Sequence, residues 1–117
     1  MSVEDESVTE PVQIVFLQQD PLLAETYRIK LELEGYRVTV ANASDQALQD
    51  LRSQPPDIIF LDASSGVAAD GAVLDWLRDD PTTERIPVII LSNQNAVQLA
   101  SSGLNLGPLD YLVHGVY

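Results

Sequence analysis

The sequence predicts an α/β fold in which a parallel β-sheet carries helices on both faces. Three observations predict it: short apolar runs that suit strands, amphipathic stretches that suit helices, and a regular alternation of the two along the chain. Alternation at this spacing is typical of βαβ units, which place helices on both faces of a sheet. With 117 residues and 45% hydrophobic content, the chain can form one domain with a single core.

Composition limits the classes of function. The chain has 18 acids and 6 bases, a net charge of −12 that phosphate backbones and anionic membranes would repel, so we expect neither nucleic-acid nor membrane binding by this segment. Cysteine is absent, which excludes disulfides and thiolate zinc sites. No apolar stretch approaches the ~20 residues that span a bilayer, and the acidic N-terminus is unlike a signal peptide, so a cytoplasmic location is expected. Residues 1–10 are predicted to be a disordered leader and residues 11–117 the domain.

The first strand is predicted over residues 12–17 and the first helix directly after it. Asp20 suits the helix N-cap and Pro21 the first helical position. The helix pattern runs through residue 34, and Gly35 is expected at the C′ position. The apolar residues of this helix that recur at i, i+4 and i+8 are Leu23, Tyr27 and Leu31.

The second strand alternates, as a half-exposed edge strand should, with Tyr36, Val38 and Val40 facing one way. A second helix opens at Ser44 or Asp45 and stops before the Pro55-Pro56 pair. The third strand is the continuous apolar run that ends at Asp62, and such a run suits a strand buried on both faces.

The second half of the chain continues the alternation. A loop is predicted over residues 63–71, followed by a third helix around residues 73–77 that closes at Asp80-Pro81. Trp76 is interpreted as helix packing, with a ligand platform as the alternative. A fourth strand ends at Ser92, a weak helix covers residues 97–100, a loop covers 103–107, and the last short strand covers 111–113.

Polar residues end each predicted strand except the second. They are Gln18 and Gln19 after the first strand, Asp62 after the third, Ser92 after the fourth and His114 after the fifth. Ligands meet open parallel sheets at the carboxyl ends of the strands, so these residues form the candidate site.

These strand ends resemble those of the receiver domain of bacterial response regulators, the flavodoxin-like phosphoacceptor module of two-component signalling. The resemblance covers residues 12–115 and implies a sheet of order 2-1-3-4-5. It rests on five motifs in order: "DP" after the first strand, "PDIIFLD", "DG" at residues 70–71, "IPVIILS" and "GPLDYLVHG". The "DG" pair arrives one residue later than in the common family pattern, and Gly115 replaces the usual proline.

The resemblance implies a role for each strand-end residue. Asp62 stands at the phosphoacceptor position, Ser92 at the hydroxyl that contacts the phosphoryl group, and Tyr111 at the aromatic that turns inward on switching. Gln18 and Gln19 stand where the family has two acids that hold Mg²⁺, and His114 stands where it has a lysine.

Two amides in place of two carboxylates predict that the metal chemistry is lost. Mg²⁺ is a hard cation that needs anionic oxygen ligands, and an amide carbonyl offers only a dipole. The leading hypothesis is therefore a degenerate receiver that binds protein partners (a histidine kinase, an output domain or another copy) and uses neither metal nor cofactor. With one histidine, no cysteine and no Gly-rich phosphate loop, the sequence predicts no enzyme.

Two other functions stay open. The first is a working receiver in which Asp62 is phosphorylated with Mg²⁺ held in an unusual arrangement. The second is a flavodoxin-like module that binds a small ligand at the strand ends. At single residues, Asp62 and Ser92 could be strand-end groups that are bonded locally, and His114 could be a surface residue or a pH-sensitive latch, since the ordinary pKa of histidine lies near neutrality.

The family also implies a fifth helix that covers the same sheet face as the first. Because the sequence ends at Tyr117, we expect part of that face to be uncovered and the protein to self-associate through it.

Overall fold

The computed structural model describes residues 11–18, 20–42, 45–63, 67–92, 94–101, 104 and 106–114. The expected leader and Gln19 lie outside the described residues, as do residues 64–66 and residues 103 and 105 of the predicted loop at 103–107. Five strands alternate with four helices: β1 (Gln13–Leu17), α1 (Pro21–Leu33), β2 (Arg37–Ala41), α2 (Asp45–Ser53), β3 (Ile58–Asp62), α3 (Val67–Asp79), β4 (Val88–Ser92), α4 (Ala96–Ser101) and β5 (Asp110–His114).

The five strands form one parallel sheet of order β2-β1-β3-β4-β5. The predicted fold class is confirmed, including the strand order. From β1 the chain first adds β2 on one side and then crosses back to add β3 on the other side. The direction of winding therefore reverses between β1 and β3. This is the place in an open α/β sheet where binding sites form.

The two ends of α1 follow the sequence prediction. Asp20 is the N-cap, and its carboxylate accepts from the backbone N–H groups of Leu22 and Leu23. Gly35 has a φ of +99°, a left-handed conformation that is unfavourable for residues that carry a Cβ atom. The N–H of Gly35 bonds the carbonyl of Glu32, and the N–H of the next residue bonds that of Leu31, which completes a Schellman motif.

One predicted boundary is wrong. The chain is helical from Val67, so α3 includes the Asp70-Gly71 pair that was assigned to a loop over residues 63–71. A single glycine inside a helix costs only about 1 kcal/mol relative to alanine, which the ten or so helical residues around it offset.

The two faces of the sheet are covered unequally. On one face the core packs against α2, α3 and α4. Trp76 is partly buried against this core, in agreement with its interpretation as helix packing. The Arg52 guanidinium lies over the Trp76 ring, 5.3 Å from the ring centroid. On the other face, among the described residues, the core packs against α1 alone, through Tyr27 and Leu31. The buried and partly buried sheet residues of this second face are Ile14, Phe16, Val38, Val40, Ile58, Phe60, Ile89 and Leu91. No helix in the described part of the chain is long and apolar enough to cross a membrane.

Candidate functional site

The sheet register brings three of the strand-end residues to one edge. Leu17 pairs with Leu61, so Gln18 and Asp62 follow at neighbouring positions of adjacent strands. Asp62 pairs with Leu91, which places Ser92 one residue further along the next strand, and Ser92 pairs with His114 of β5. Gln18, Asp62 and Ser92 are all buried.

The side chain of Gln18 connects Asp62 to the start of α1. Its Nε2 donates to Oδ2 of Asp62, and its Oε1 accepts from the backbone N–H of Asp20 at 3.0 Å. The backbone N–H of Gln18 donates in turn to the carbonyl of Ala41 at 3.0 Å. One amide therefore ties the ends of β1 and β3 to the N-cap of α1.

The orientation of this amide follows from its neighbours. A backbone N–H can only donate, so Oε1 of Gln18 must face Asp20 and the NH₂ group must face the carboxylate. The site consequently presents a hydrogen-bond donor to Asp62 where an acid at this position would present a second anionic oxygen.

Ser92 makes a local contact. Its Oγ accepts from the backbone N–H of Gln94 at 2.8 Å, in the loop that follows β4. Tyr111 is exposed on β5, which is one of the two edge strands of the sheet. The backbone of His114 lies next to that of Ser92, and its side chain lies outside what the structure describes.

Two residues that act on Gln18 or are influenced by Asp62 were not among the predicted site residues. Tyr27 had been assigned only to the packing face of α1, yet burial and the negative charge of Asp62 raise the pKa of its phenol. Asp20 had been assigned only as a helix cap, yet its N–H orients Gln18. The helical spacing of Tyr27 carried no signal of its relation to Asp62, because that relation depends on where the sheet places Asp62. The contact of Asp20 with Gln18 is local, but the N-cap prediction used only the side chain of Asp20.

The described residues do not fit a Mg²⁺ site. Among them there is no group of three or more acidic, histidine or cysteine residues that could hold a metal ion. The only carbonyl oxygen of the Gln18 side chain is engaged by Asp20, and its amide hydrogens point at Asp62. A divalent cation in that position would meet a donor rather than an oxygen ligand.

The pattern of the family described as "Response regulator receiver domain" matches residues 14–115 of this sequence. The chain belongs to the response regulator receiver family. Receiver domains of this family are signalling modules of two-component systems, and the predicted family resemblance is confirmed.

Curated relatives of this receiver domain are regulators of several kinds. It is 31% identical over 103 residues to the probable transcriptional regulatory protein TcrX of Mycobacterium tuberculosis, covering 88% of this chain and 43% of that protein. It is 31% identical over 102 residues to a probable cyclic di-GMP phosphodiesterase of Vibrio cholerae, covering 87% of this chain and 21% of that protein. The chain thus spans less than half the length of these relatives.

Solved structures agree with the fold. A putative response regulator from Chloroflexus aurantiacus has a TM-score of 0.70 and 25% identity, covering 87% of this chain and 84% of that one. The N-terminal domain of a receiver protein from Methanoculleus marisnigri has a TM-score of 0.68 and 25% identity, covering 88% and 85%.

Proposed function

We propose that this receiver domain is a pseudo-receiver, a signalling module that docks to protein partners without phosphoryl chemistry at Asp62. The observation that supports this most directly is the hydrogen bond from the Gln18 amide to the Asp62 carboxylate. In this bond a neutral N–H group donates to a carboxylate oxygen of Asp62, the residue at the phosphoacceptor position. A metal-assisted phosphoacceptor needs a cation near that oxygen instead.

The energetic argument concerns the charges that phosphoryl transfer requires. The reaction depends on positioning and on stabilising negative charge, for which the family uses Mg²⁺ and a lysine. If each lost charge-assisted contact is worth roughly 1.5 to 3 kcal/mol, the loss of both acids and the lysine amounts to several kcal/mol. That corresponds to about a thousandfold or more in rate.

A second candidate function is a receiver that is phosphorylated at Asp62. The position of Asp62 at the end of β3 and of the Ser92 hydroxyl at the end of β4 favours it, because both are the residue types that the family uses there. On either candidate, partners would be a histidine kinase, an output domain or another copy of the chain. The transcriptional regulatory proteins among the relatives support a gene-regulatory output for the whole protein.

The test compares the wild type with the triple variant Gln18→Asp, Gln19→Asp, His114→Lys in the presence of Mg²⁺ and acetyl phosphate. Phosphorylated protein is quantified by intact mass, and Asp62→Ala in both backgrounds controls for labelling elsewhere. We expect the wild type to stay unlabelled and the triple variant to be labelled at Asp62. The melting temperature of the triple variant should also rise with Mg²⁺, while that of the wild type should not.

One outcome would contradict the proposal, and another would contradict the account of which residues disable the site. Rapid, Asp62-dependent labelling of the wild type would establish the second candidate. A folded triple variant that neither binds Mg²⁺ nor accepts phosphate would mean that more than these three substitutions separates the site from a working receiver.

A further inference from the structure

Strand β2 ends the sheet on one side, and part of its backbone faces away from the sheet. The N–H of Arg37 donates to the carbonyl of Val12 at the start of β1, so every second residue from Arg37 onward directs its backbone groups to β1. The N–H and C=O groups of Val38 and Val40 consequently point outward. In the part of the chain that the structure describes, no strand lies beyond them.

This edge lacks the features that commonly protect a free strand. Natural edge strands are often interrupted by a bulge or carry lysine or proline. β2 contains neither residue, and all five of its residues pair with β1 without a bulge. Residues 35–44 also contain one base and no acid, although the chain has 18 acids, so two copies can meet along this strand with little local repulsion.

The helices on the two faces leave this edge open. Tyr27 of α1 packs against Phe16 of β1, with ring centroids 5.4 Å apart, and Leu51 of α2 packs in the core cluster that contains Leu17 of β1. Thr39 of β2 is exposed. With each helix over β1, the equivalent helices of two copies joined at β2 are separated by three strand spacings, or roughly 14 Å, which exceeds the 8 to 10 Å of packed helices.

A cavity of about 390 Å³ lies beside this edge, between the sheet and α2. Val15, Ala41 and Leu51 supply apolar lining, and Thr39 and Asp50 supply polar lining. Both Thr39 and Asp50 are exposed, so the cavity opens to solvent on their side. An apolar lining with a carboxylate suits a side chain that has a hydrocarbon stem and a cationic tip.

We propose that β2 of a second copy of this chain pairs antiparallel with this edge, and that Arg37 of each copy enters the cavity of the other. The two-fold axis passes between the two Thr39 residues. Val38 of one copy then lies opposite Val40 of the other, and each such pair exchanges both backbone hydrogen bonds. The contact is isologous, so every interaction in it occurs twice.

This register carries Arg37 to the cavity. Val38 and Val40 pack on the face that carries α1, so Arg37 and Ala41 point to the face that carries α2. Arg37 of one copy lies opposite Ala41 of the other in a non-hydrogen-bonded pair, with Cα atoms about 4.5 Å apart. Ala41 and Asp50 both line the cavity, and neither Arg37 nor Asp50 forms an ion pair with another described residue. The second copy therefore supplies the cation for Asp50.

This inference rests on the docking role proposed above and names one partner, but its test involves no phosphoryl chemistry. Labelling of Asp62 would contradict the pseudo-receiver proposal and leave the β2 contact standing. A protein that stays monomeric would contradict the β2 contact alone.

The first experiment measures the mass of the 117-residue protein by sedimentation equilibrium from about 5 to about 200 μM. We expect a dimer for the wild type and at least tenfold weaker association for Val40→Pro, which removes an outward N–H and leaves the bonds to β1 in place. Val40→Ala is the matched control, because it trims the side chain and keeps that N–H. A wild-type monomer throughout, or equal weakening by the two variants, would overturn the proposal.

The second experiment tests the contact between Arg37 and Asp50 by charge exchange. Arg37→Glu and Asp50→Arg should each weaken self-association about tenfold at low salt, because each places like charges together twice. An equimolar mixture of the two variants should restore the dimer, as should the double variant Arg37→Glu, Asp50→Arg. If neither combination restores association, Arg37 does not occupy the cavity of a second copy.

The third experiment tests the position of the two-fold axis with a single thiol. The chain has no cysteine, so Thr39→Cys introduces a unique one. At about 4.5 Å between Cα atoms, two such thiols can form a disulfide, and we expect mild oxidation to yield a covalent dimer. Thr26→Cys, at an exposed position of α1, is the matched control and should stay largely monomeric. Equal cross-linking of the two variants would exclude this axis.

Discussion

The side-chain amide of Gln18 donates to the carboxylate of Asp62 while its carbonyl accepts from Asp20, so one residue holds the acceptor position against the start of α1. In a receiver with an acid at position 18, the same geometry would place two anionic oxygens together and require a cation. Here the amide replaces that cation with a hydrogen bond. The Asp62 carboxylate thus meets a hydrogen-bond donor from residue 18 instead of a second carboxylate.

The strength of this contact can be measured by a double-mutant cycle with Gln18→Ala and Asp62→Ala. A buried hydrogen bond to a charged group is worth about 1.5 to 3 kcal/mol, so we expect a coupling free energy in that range from urea unfolding. The matched control is Gln46 and Asp50, whose side chains make an amide–carboxylate bond of 3.0 Å on the exposed surface of α2. That pair should couple by only about 0.2 to 0.5 kcal/mol. Equal coupling in the two pairs would show that burial adds nothing at the site.

Magnesium should scarcely interact with the wild-type site. We expect millimolar Mg²⁺ to leave the amide resonances of Gln18 and Asp62 nearly unmoved in a ¹⁵N NMR titration, because one carboxylate and a donor amide make a poor ligand set for a hard cation. The variant Gln18→Asp, which adds one carboxylate, should respond at lower Mg²⁺ concentration. Saturable binding to the wild type with a sub-millimolar Kd would refute this expectation.

Tyr27 provides a pH-dependent report on the charge of Asp62. Burial, and then the Asp62 charge, raise the pKa of its phenol above the ordinary value near 10. Folding therefore favours the protonated phenol. This contribution to stability is fully present below pH 10 and is lost as the pH rises through the folded-state pKa.

We expect Asp62→Asn to lower the pKa of Tyr27 toward its ordinary value but not to reach it, since burial is the larger cause of the shift. The pKa is measured by following the Tyr27 ring resonances against pH. Asp57→Asn is the control, because Asp57 lies at the other end of β3 and accepts from the N–H of Gln13. As the pH rises above about 10, Tyr27→Phe should lose less stability than the wild type. A Tyr27 titration that is identical in wild type and Asp62→Asn would mean that the carboxylate does not act on it.

Local signals in the sequence predicted the framework correctly. Asp20-Pro21 and Gly35 set the ends of α1 through contacts within a few residues, and such contacts can be inferred from spacing alone. The predicted start of α3 was wrong because Gly71 was taken as the end of a loop, whereas it lies inside the helix. The hydrogen bond between the Gln18 amide and Asp62 could not be inferred from spacing, because the two residues are 44 positions apart in the sequence.

A second long-range contact that the sequence did not indicate fixes β5 to the end of α3. The guanidinium of Arg78 pairs with the carboxylate of Asp110, whose side chain is only 1% exposed and also accepts from the N–H of Gly107 at 2.6 Å. Arg78 also donates to the carbonyls of Glu84 and Ile86 at 3.3 and 3.4 Å. One side chain thereby connects α3, the turn before β4 and the first residue of β5.

Arg78→Met should therefore destabilise the protein by about 3 kcal/mol or more in urea unfolding, because it leaves the buried Asp110 carboxylate without its cation. The double variant Arg78→Met, Asp110→Asn should recover part of this loss, since no buried charge remains. Arg28→Met is the matched control: Arg28 pairs with Glu25 and Glu32 on the exposed surface of α1, and its loss should cost at most about 1 kcal/mol. If Arg78→Met lowers the free energy of unfolding no more than Arg28→Met does, the Arg78–Asp110 pair contributes no more stability than a surface ion pair. In the destabilised variant, hydrogen exchange at the amides of residues 110–114 should quicken first.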